Sequence, residues 1–267
     1  MNTAVNTLTY SNRSNHGATA DLSAYVNAKQ IVHANGPFAS ANKLLAGLSP
    51  EELLRLQCNL EPVDLARDQV LYECGGAVKH IYFPTTSIVS LMCNTLEGGS
   101  CEIAMVGNDG AAGISTFMGA GTLAHTAVVY CEGRGFRMKA SLMQAAFDRS
   151  KDIQLLLLRY TQALMTQISQ TAVCIRHYSI DQQLSRRLLM AQDRLATNEL
   201  SLTQESLGTL LGVRRETISE ASNKLQDAGL IQYCRGLITI KDRVGLERRC
   251  REIYTPMPST RPSTRTW

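Results

Sequence analysis

The stretch SLTQESLGTLLGVRRETISEASNKLQDAGLIQYCRGLITIKD, residues 201–242, constrains the fold more than any other part of the chain. Thr203 suits a helix N-cap, Leu207 and Leu210 lie one turn apart, and Leu211-Gly212-Val213 reads as a tight corner. Gly212 permits that corner because a residue without Cβ enters left-handed backbone conformations without a clash. A second helix is expected over about 214–227, with Ile218, Ala221 and Leu225 as its buried stripe and Gly229 beyond its end. The apolar runs Leu230–Tyr233 and Leu237–Ile240 flank Cys234-Arg235-Gly236, the pattern of a β-hairpin. An amphipathic helix over 181–195, carried by Leu184, Leu188, Leu189 and Ala191, precedes the pair. The segment 180–254 therefore reads as a winged helix-turn-helix.

The polar residues of this segment collect at one end. Arg214, Arg215, Glu216 and Thr217 fill the first turn of the second helix. There Arg can bond two acceptors of a guanine, and Glu can accept from a cytosine amino group. With Thr203, Gln204, Ser219, Glu220 and Asn223 they are candidate contacts to double-stranded DNA, and Arg235 at the hairpin tip is placed for phosphate. Charge points the same way. Residues 180–267 hold 14 Lys and Arg against 10 Asp and Glu, while residues 1–179 balance at 13 each, so the net +4 lies wholly in the last third.

The rest of the chain divides by composition. Residues 1–40 are rich in Asn, Ser, Thr and Ala and read as a mobile leader with a short helix near 20–30. The last stretch, 255–267, carries three prolines among Ser, Thr and Arg and reads as a disordered tail. Ser49 and Pro50 open a helix as N-cap and first residue. Short apolar runs then follow at 70–72, 81–83, 88–93, 101–106, 127–131 and 136–138, the spacing of a small antiparallel sandwich or barrel over 41–150.

Residues 151–179 read as one long helix, without Gly or Pro from 153 to 178. Positions 157, 161, 164, 168, 171, 175 and 178 step by alternating fours and threes, and five of the seven are apolar. Leu157, Leu164, Ile168, Ile175 and Tyr178 are thus the expected seam of a homodimer. A helix lying on its own barrel would show the same stripe, and Leu155, Leu156 and Leu158 off the seam suit that.

From about Leu44 to Tyr254 the chain resembles the Crp/Fnr family of transcription factors (cyclic-AMP receptor protein, fumarate-nitrate regulator). The likeness is strongest in VRRETISEASNKLQDAGLI, similar to that family's recognition helix with its Arg-Glu-Thr start, and in the order barrel, long helix, winged helix. It implies an α+β fold: an N-terminal double-stranded β-roll like a cyclic-nucleotide-binding domain, a dimerisation helix and a C-terminal winged helix-turn-helix. It further implies a homodimer on a palindromic promoter site, with RNA polymerase as a partner if the protein activates. Arg215 and Glu216 then face bases and Thr217 a phosphate. Glu220 replaces a second Arg of the cyclic-AMP receptors, so the half-site need not be theirs.

The effector pocket departs further. Nucleotide-binding members grip the ribose with a glycine-rich segment bearing an acidic residue, and the cyclic phosphate with an Arg-Ser pair. The matching residues here are Gly110-Ala111-Ala112-Gly113 and His125-Thr126, so Ala111 stands for the carboxylate and His125 for the arginine. Imidazole lacks the permanent two-pronged charge of guanidinium, and the resemblance implies a degenerate pocket without cyclic AMP. Residues 1–40 hold no cysteine for an iron–sulfur cluster, and a lone His80 or His125 is weak grounds for haem.

No cofactor or metal is expected. The eight cysteines contain no Cys-x-x-Cys pair and read mostly as small buried hydrophobes. The glycines at 107, 110 and 113 resemble a phosphate-binding turn only loosely and suit turns of the roll better. No His-Glu-x-x-His, Walker or Gly-x-Ser-x-Gly motif occurs, so an enzyme is not expected. Without a secretion signal or an apolar run of about 18 residues, a cytoplasmic protein with no membrane partner is expected. The alternative is a signal-binding or protein-interaction module with a vestigial DNA-binding domain.

Overall fold

The computed structural model describes residues 41–119 and 123–254. The expected leader and tail lie outside the described residues. Helix α1 (Pro50–Gln57) opens as its sequence requires, with the Ser49 side chain accepting from the Glu52 amide and proline at the first position. Seven strands follow: β1 (Glu61–Leu65), β2 (Val70–Tyr72), β3 (His80–Pro84), β4 (Ile88–Asn94), β5 (Ser100–Val106), β6 (Thr126–Cys131) and β7 (Gly133–Lys139). They form two antiparallel sheets, β1-β7-β3 and β2-β6-β4-β5. Leu65, Tyr82, Val89, Leu91, Ala104, Val106, Ala127 and Val129 form one core cluster drawn from both sheets. Strand β1 is not legible in the sequence, because Pro62 and two acidic residues mask its pattern.

Helices α2 (Ala140–Arg149) and α3 (Lys151–His177) leave the roll. The placement of α3 corrects the expected dimer seam. Leu157 is buried in the cluster of Phe83, Phe136 and Tyr160, and Leu164 in that of Val89 and Val129, with Ile168 packed against the latter. Tyr178 packs on the winged-domain core, and of the five only Ile175 is exposed. A three-four stripe marks an apolar helix face, and the chain's own sheets cover this one as well as a second helix would. Leu155, Leu158, Met165 and Val173 remain exposed on α3.

The C-terminal part comprises α4 (Ile180–Leu195), β8 (Glu199–Ser201), α5 (Gln204–Leu211), α6 (Arg215–Asp227), β9 (Ile231–Cys234), β10 (Leu237–Ile240) and α7 (Arg243–Cys250). Its three-stranded sheet has the order β8-β10-β9. Leu184, Leu188, Leu200, Leu207, Ile218, Leu225, Ile238 and Leu246 are fully buried in one cluster. That cluster continues into the roll through Ile88, Met92, Met105 and Tyr130, with α4 packed on β4 and α5 on β5.

Buried charge crosses the same contact. Arg187 of α4 pairs with Glu102 of β5, and Glu102 also accepts from Ser90 of β4. The Arg187 guanidinium carbon lies 4.6 Å from the centre of the Tyr130 ring. Arg194 Nη2 stands 3.0 Å from Asp109 Oδ2 and 3.2 Å from Gln167 Oε1. A Cβ on Gly107 would lie 2.7 Å from the Arg194 stem, so glycine is what lets this side chain cross the roll. Among the described residues no helix is long and apolar enough to cross a membrane.

Candidate nucleic-acid interface

Local sequence sets the angle between α5 and α6. The Thr203 hydroxyl accepts from the Ser206 amide at 3.1 Å, satisfying a donor that helix α5 leaves open. Gly212 ends α5 at φ +66°, and Val213 N–H returns to Gly208 O at 2.9 Å. A Cβ at Gly208 would sit 2.8 Å from Val213 O, so this position also needs glycine. The corner thus depends on two glycines, of which sequence reasoning identifies only Gly212. Gly208 falls on the buried side of α5, and that small residue in an otherwise leucine-rich face is its signal.

Arg214 is the extended N-cap of α6 (φ −70°, ψ 152°), and the helix starts on Arg215. Ile218, Ala221 and Leu225 face inward. Arg214, Arg215, Glu216, Glu220 and Asn223 are exposed, while Thr217 and Ser219 are half-buried. Gln204 Nε2 reaches Ser219 Oγ at 3.4 Å and fastens the start of α5 to α6. Glu216, Glu220 and Asn223 fall at i, i+4 and i+7, which places them along one face.

The wing is held against these helices by Tyr233, a residue that the sequence alone does not single out. Its amide donates to Gln226 Oε1 at 2.7 Å and its hydroxyl donates to Leu202 O at 3.0 Å. Cys234 and Leu237 pair across a two-residue turn in which Arg235 (φ +48°) and Gly236 (φ +80°) are both left-handed. Such turns favour Asn-Gly, and an arginine there holds an unfavourable backbone on the order of 1 kcal/mol. Thr203, Gln204, Glu205, Arg215, Tyr233, Arg235 and Gly236 line one open groove of about 490 Å³. The structure therefore brings Arg215 and Arg235 to the same groove, next to the positive end of α6.

The expected effector residues are knitted into the roll. A Cβ at Gly110 would overlap the Tyr160 ring, whose hydroxyl donates to Ala111 O at 2.9 Å. Ala111 is fully buried and offers a methyl group where the ribose grip needs a carboxylate. Gly113 turns at φ +97°. The buried Tyr72 hydroxyl lies near the Gly113 backbone and 3.3 Å from His125 Nε2, between the two halves of the expected pocket. Burial lowers the His125 pKa below its ordinary value, so the ring is neutral at neutral pH. Thr126 Oγ1 accepts from the Cys74 amide at 3.2 Å.

A β-roll, a long helix and a winged helix-turn-helix whose groove holds two arginines define a helix-turn-helix protein of the DNA-binding kind. Residues 182–249 match the family model of the Crp-like helix-turn-helix domain. The chain is 21% identical over 215 residues to the CRP-like cAMP-activated global transcriptional regulator of Mycobacterium tuberculosis, covering 78% of this chain and 96% of the relative. FixK2 from Bradyrhizobium japonicum has the same fold at a TM-score of 0.62 and 16% identity, over 71% of this chain and 96% of that one. A CRP/FNR-family transcriptional regulator from Thermus thermophilus superposes at a TM-score of 0.57 and 17% identity, over 71% and 98%. Residues 182–249 thus form a Crp-like helix-turn-helix DNA-binding domain, within a fold that the chain shares with transcriptional regulators of the Crp/Fnr type.

Proposed function

We propose that the protein reads a two-fold symmetric DNA site as a homodimer, with Arg215, Glu216 and Glu220 directed at base edges and Thr203, Gln204, Thr217 and Arg235 at phosphates. The observation that carries this reading is the shared groove of Arg215 and Arg235, one on the recognition helix and one on the wing. A recognition helix entering the major groove beside a wing on the backbone gives these two arginines different work. If the protein activates, RNA polymerase is a further partner.

Loss of Arg215 is expected to reduce discrimination at one base pair by about 1–3 kcal/mol, with non-specific affinity little changed. Loss of the Arg235 charge weakens all sequences alike. Arg235→Asn separates that effect from folding, because Asn tolerates the left-handed tip. Its expected outcome is a gain of about 1 kcal/mol in stability together with uniformly weaker DNA binding and a shallower salt dependence. Binding titrations on the operator and on scrambled duplexes across a salt series check this. Equal losses on every sequence from both variants would contradict the division of labour.

The signal is proposed to be something other than a cyclic nucleotide. Ala111 and the neutral His125 supply neither the carboxylate nor the fixed positive charge that such a ligand needs. Calorimetric titration with cyclic AMP is expected to give no heat of binding, and saturable binding would overturn this.

A further inference from the structure

Only Cys131, Cys174 and Cys250 are buried among the eight cysteines, which corrects the expectation that most are core residues. Two of the others stand in a specific relation. Cys93 of β4 and Cys101 of β5 are direct register partners across the antiparallel ladder. Directly opposed residues point to the same face, with Cβ atoms about 4.5–5.5 Å apart. Their Cα atoms then fall within the roughly 4.4–6.8 Å that a disulfide spans. Both thiols are free and half-buried, within reach of a small oxidant. The Cys93 thiol has only a weak contact, 3.8 Å to Ala124 O.

The opposite end of the observation is the helix-turn-helix corner. A Cβ on Gly212 would lie 3.4 Å from Cys101 Cβ and 3.6 Å from Ser100 O. The turn that fixes the recognition helix thus rests on the strand residue that faces the second thiol. Cys93 and Cys101 also lie just inside the hairpin end, where the Thr95 amide donates to Gly99 O at 2.7 Å. A covalent bond across this ladder must change how β5 supports the corner.

We propose that Cys93 and Cys101 form a peroxide-responsive dithiol whose closure to a disulfide alters the seat of the helix-turn-helix on the β-roll. The Cys101 thiolate attacks a peroxide oxygen and breaks the O–O bond. The departing hydroxide is protonated to water, leaving Cys101 as a sulfenic acid. The Cys93 sulfur then attacks that sulfur and expels hydroxide, which leaves as water with the Cys93 proton. Two thiols and one hydrogen peroxide give one disulfide and two waters, the thiols losing the two electrons that the O–O bond gains. Burial and the neighbouring Cys101 and Cys74 push the Cys93 thiol pKa up, which suits Cys93 to the second step.

The consequence for DNA rests on the function proposed above, whereas the disulfide does not, and one experiment separates them. The full chain is treated with hydrogen peroxide, alkylated and cleaved at Glu97, which lies between the two cysteines. The flanking fragments are expected to stay joined until dithiothreitol is added, and to separate in Cys93→Ser and Cys101→Ser. Operator affinity of the oxidised chain shifts by about fivefold or more, reverses with dithiothreitol, and does not shift in Cys93→Ser. Fragments that separate without reductant overturn the dithiol. A disulfide with unchanged affinity overturns its coupling to the helix-turn-helix, as does a shift that persists in Cys93→Ser. A reduced chain that ignores the operator counts against the DNA reading, and the joined fragments still decide the dithiol.

Discussion

Glu102→Ala is expected to lower the unfolding free energy by about 3–5 kcal/mol and to loosen the winged domain from the roll. Glu102 and Arg187 have side chains only 11% and 4% exposed, so neither charge is solvated once its partner is removed. Arg187 is already under-satisfied, because its Nε and Nη2 are buried without a hydrogen-bond partner and the Tyr130 face compensates them only in part. Truncating Glu102 removes the carboxylate that, among the described residues, pairs with Arg187 and leaves the Ser90 hydroxyl without its acceptor as well. The pair need not be a net stabiliser for this to hold. Replacing both partners, as Glu102→Leu with Arg187→Met, is expected to be near neutral, since the desolvation of both ions disappears together. Thermal melts of the two single variants and the double variant measure the coupling. A single-variant loss under about 1 kcal/mol would mean that water reaches the pair and that it does not hold the domains.

The DNA-reading half of the molecule is legible in the sequence because its signals are local. Thr203, Gly212 and the Ile218, Ala221 and Leu225 stripe each specify backbone within one or two turns, and their helices appear at the expected places. Strand β8 is not legible: Glu199–Ser201 is three residues long and is a strand only because Leu237–Thr239 lies beside it. The same limit governs α3. Its periodicity announces an apolar face without naming what covers that face, so in sequence Leu157 and Leu164 suit a second copy although the roll takes them. Glu102, Asp109, Arg187 and Arg194 carry no sequence signal at all, since a buried ion pair between residues 85 apart is indistinguishable in sequence from four solvated charges. Tyr72 and His125 meet for the same non-local reason, and only the fold shows that the tyrosine lies between the two halves of the expected pocket.

The correction of α3 moves the proposed dimer contact to the neighbouring face of the helix, about a quarter-turn round from the covered stripe. Leu158, Met165 and Ala172 step by seven and Leu155 lies one turn before Leu158, giving an exposed stripe in which the three large residues are 49–57% exposed. A seven-residue repeat is what two helices need to stay in contact along their length. Leu158→Glu combined with Met165→Glu is expected to convert the dimer to a monomer in sedimentation velocity, because paired copies would bury four carboxylates at the seam. Affinity for a full palindrome should fall by about 100-fold or more as the second half-site contact ceases to be intramolecular, while affinity for an isolated half-site stays the same. Leu157→Ala or Leu164→Ala should do the reverse, destabilising the fold by about 2–5 kcal/mol through cavities against the roll while leaving the mass in solution unchanged. A double-glutamate variant that remains dimeric, or a Leu164→Ala variant that becomes monomeric without loss of stability, would return the seam to the face that the roll now covers.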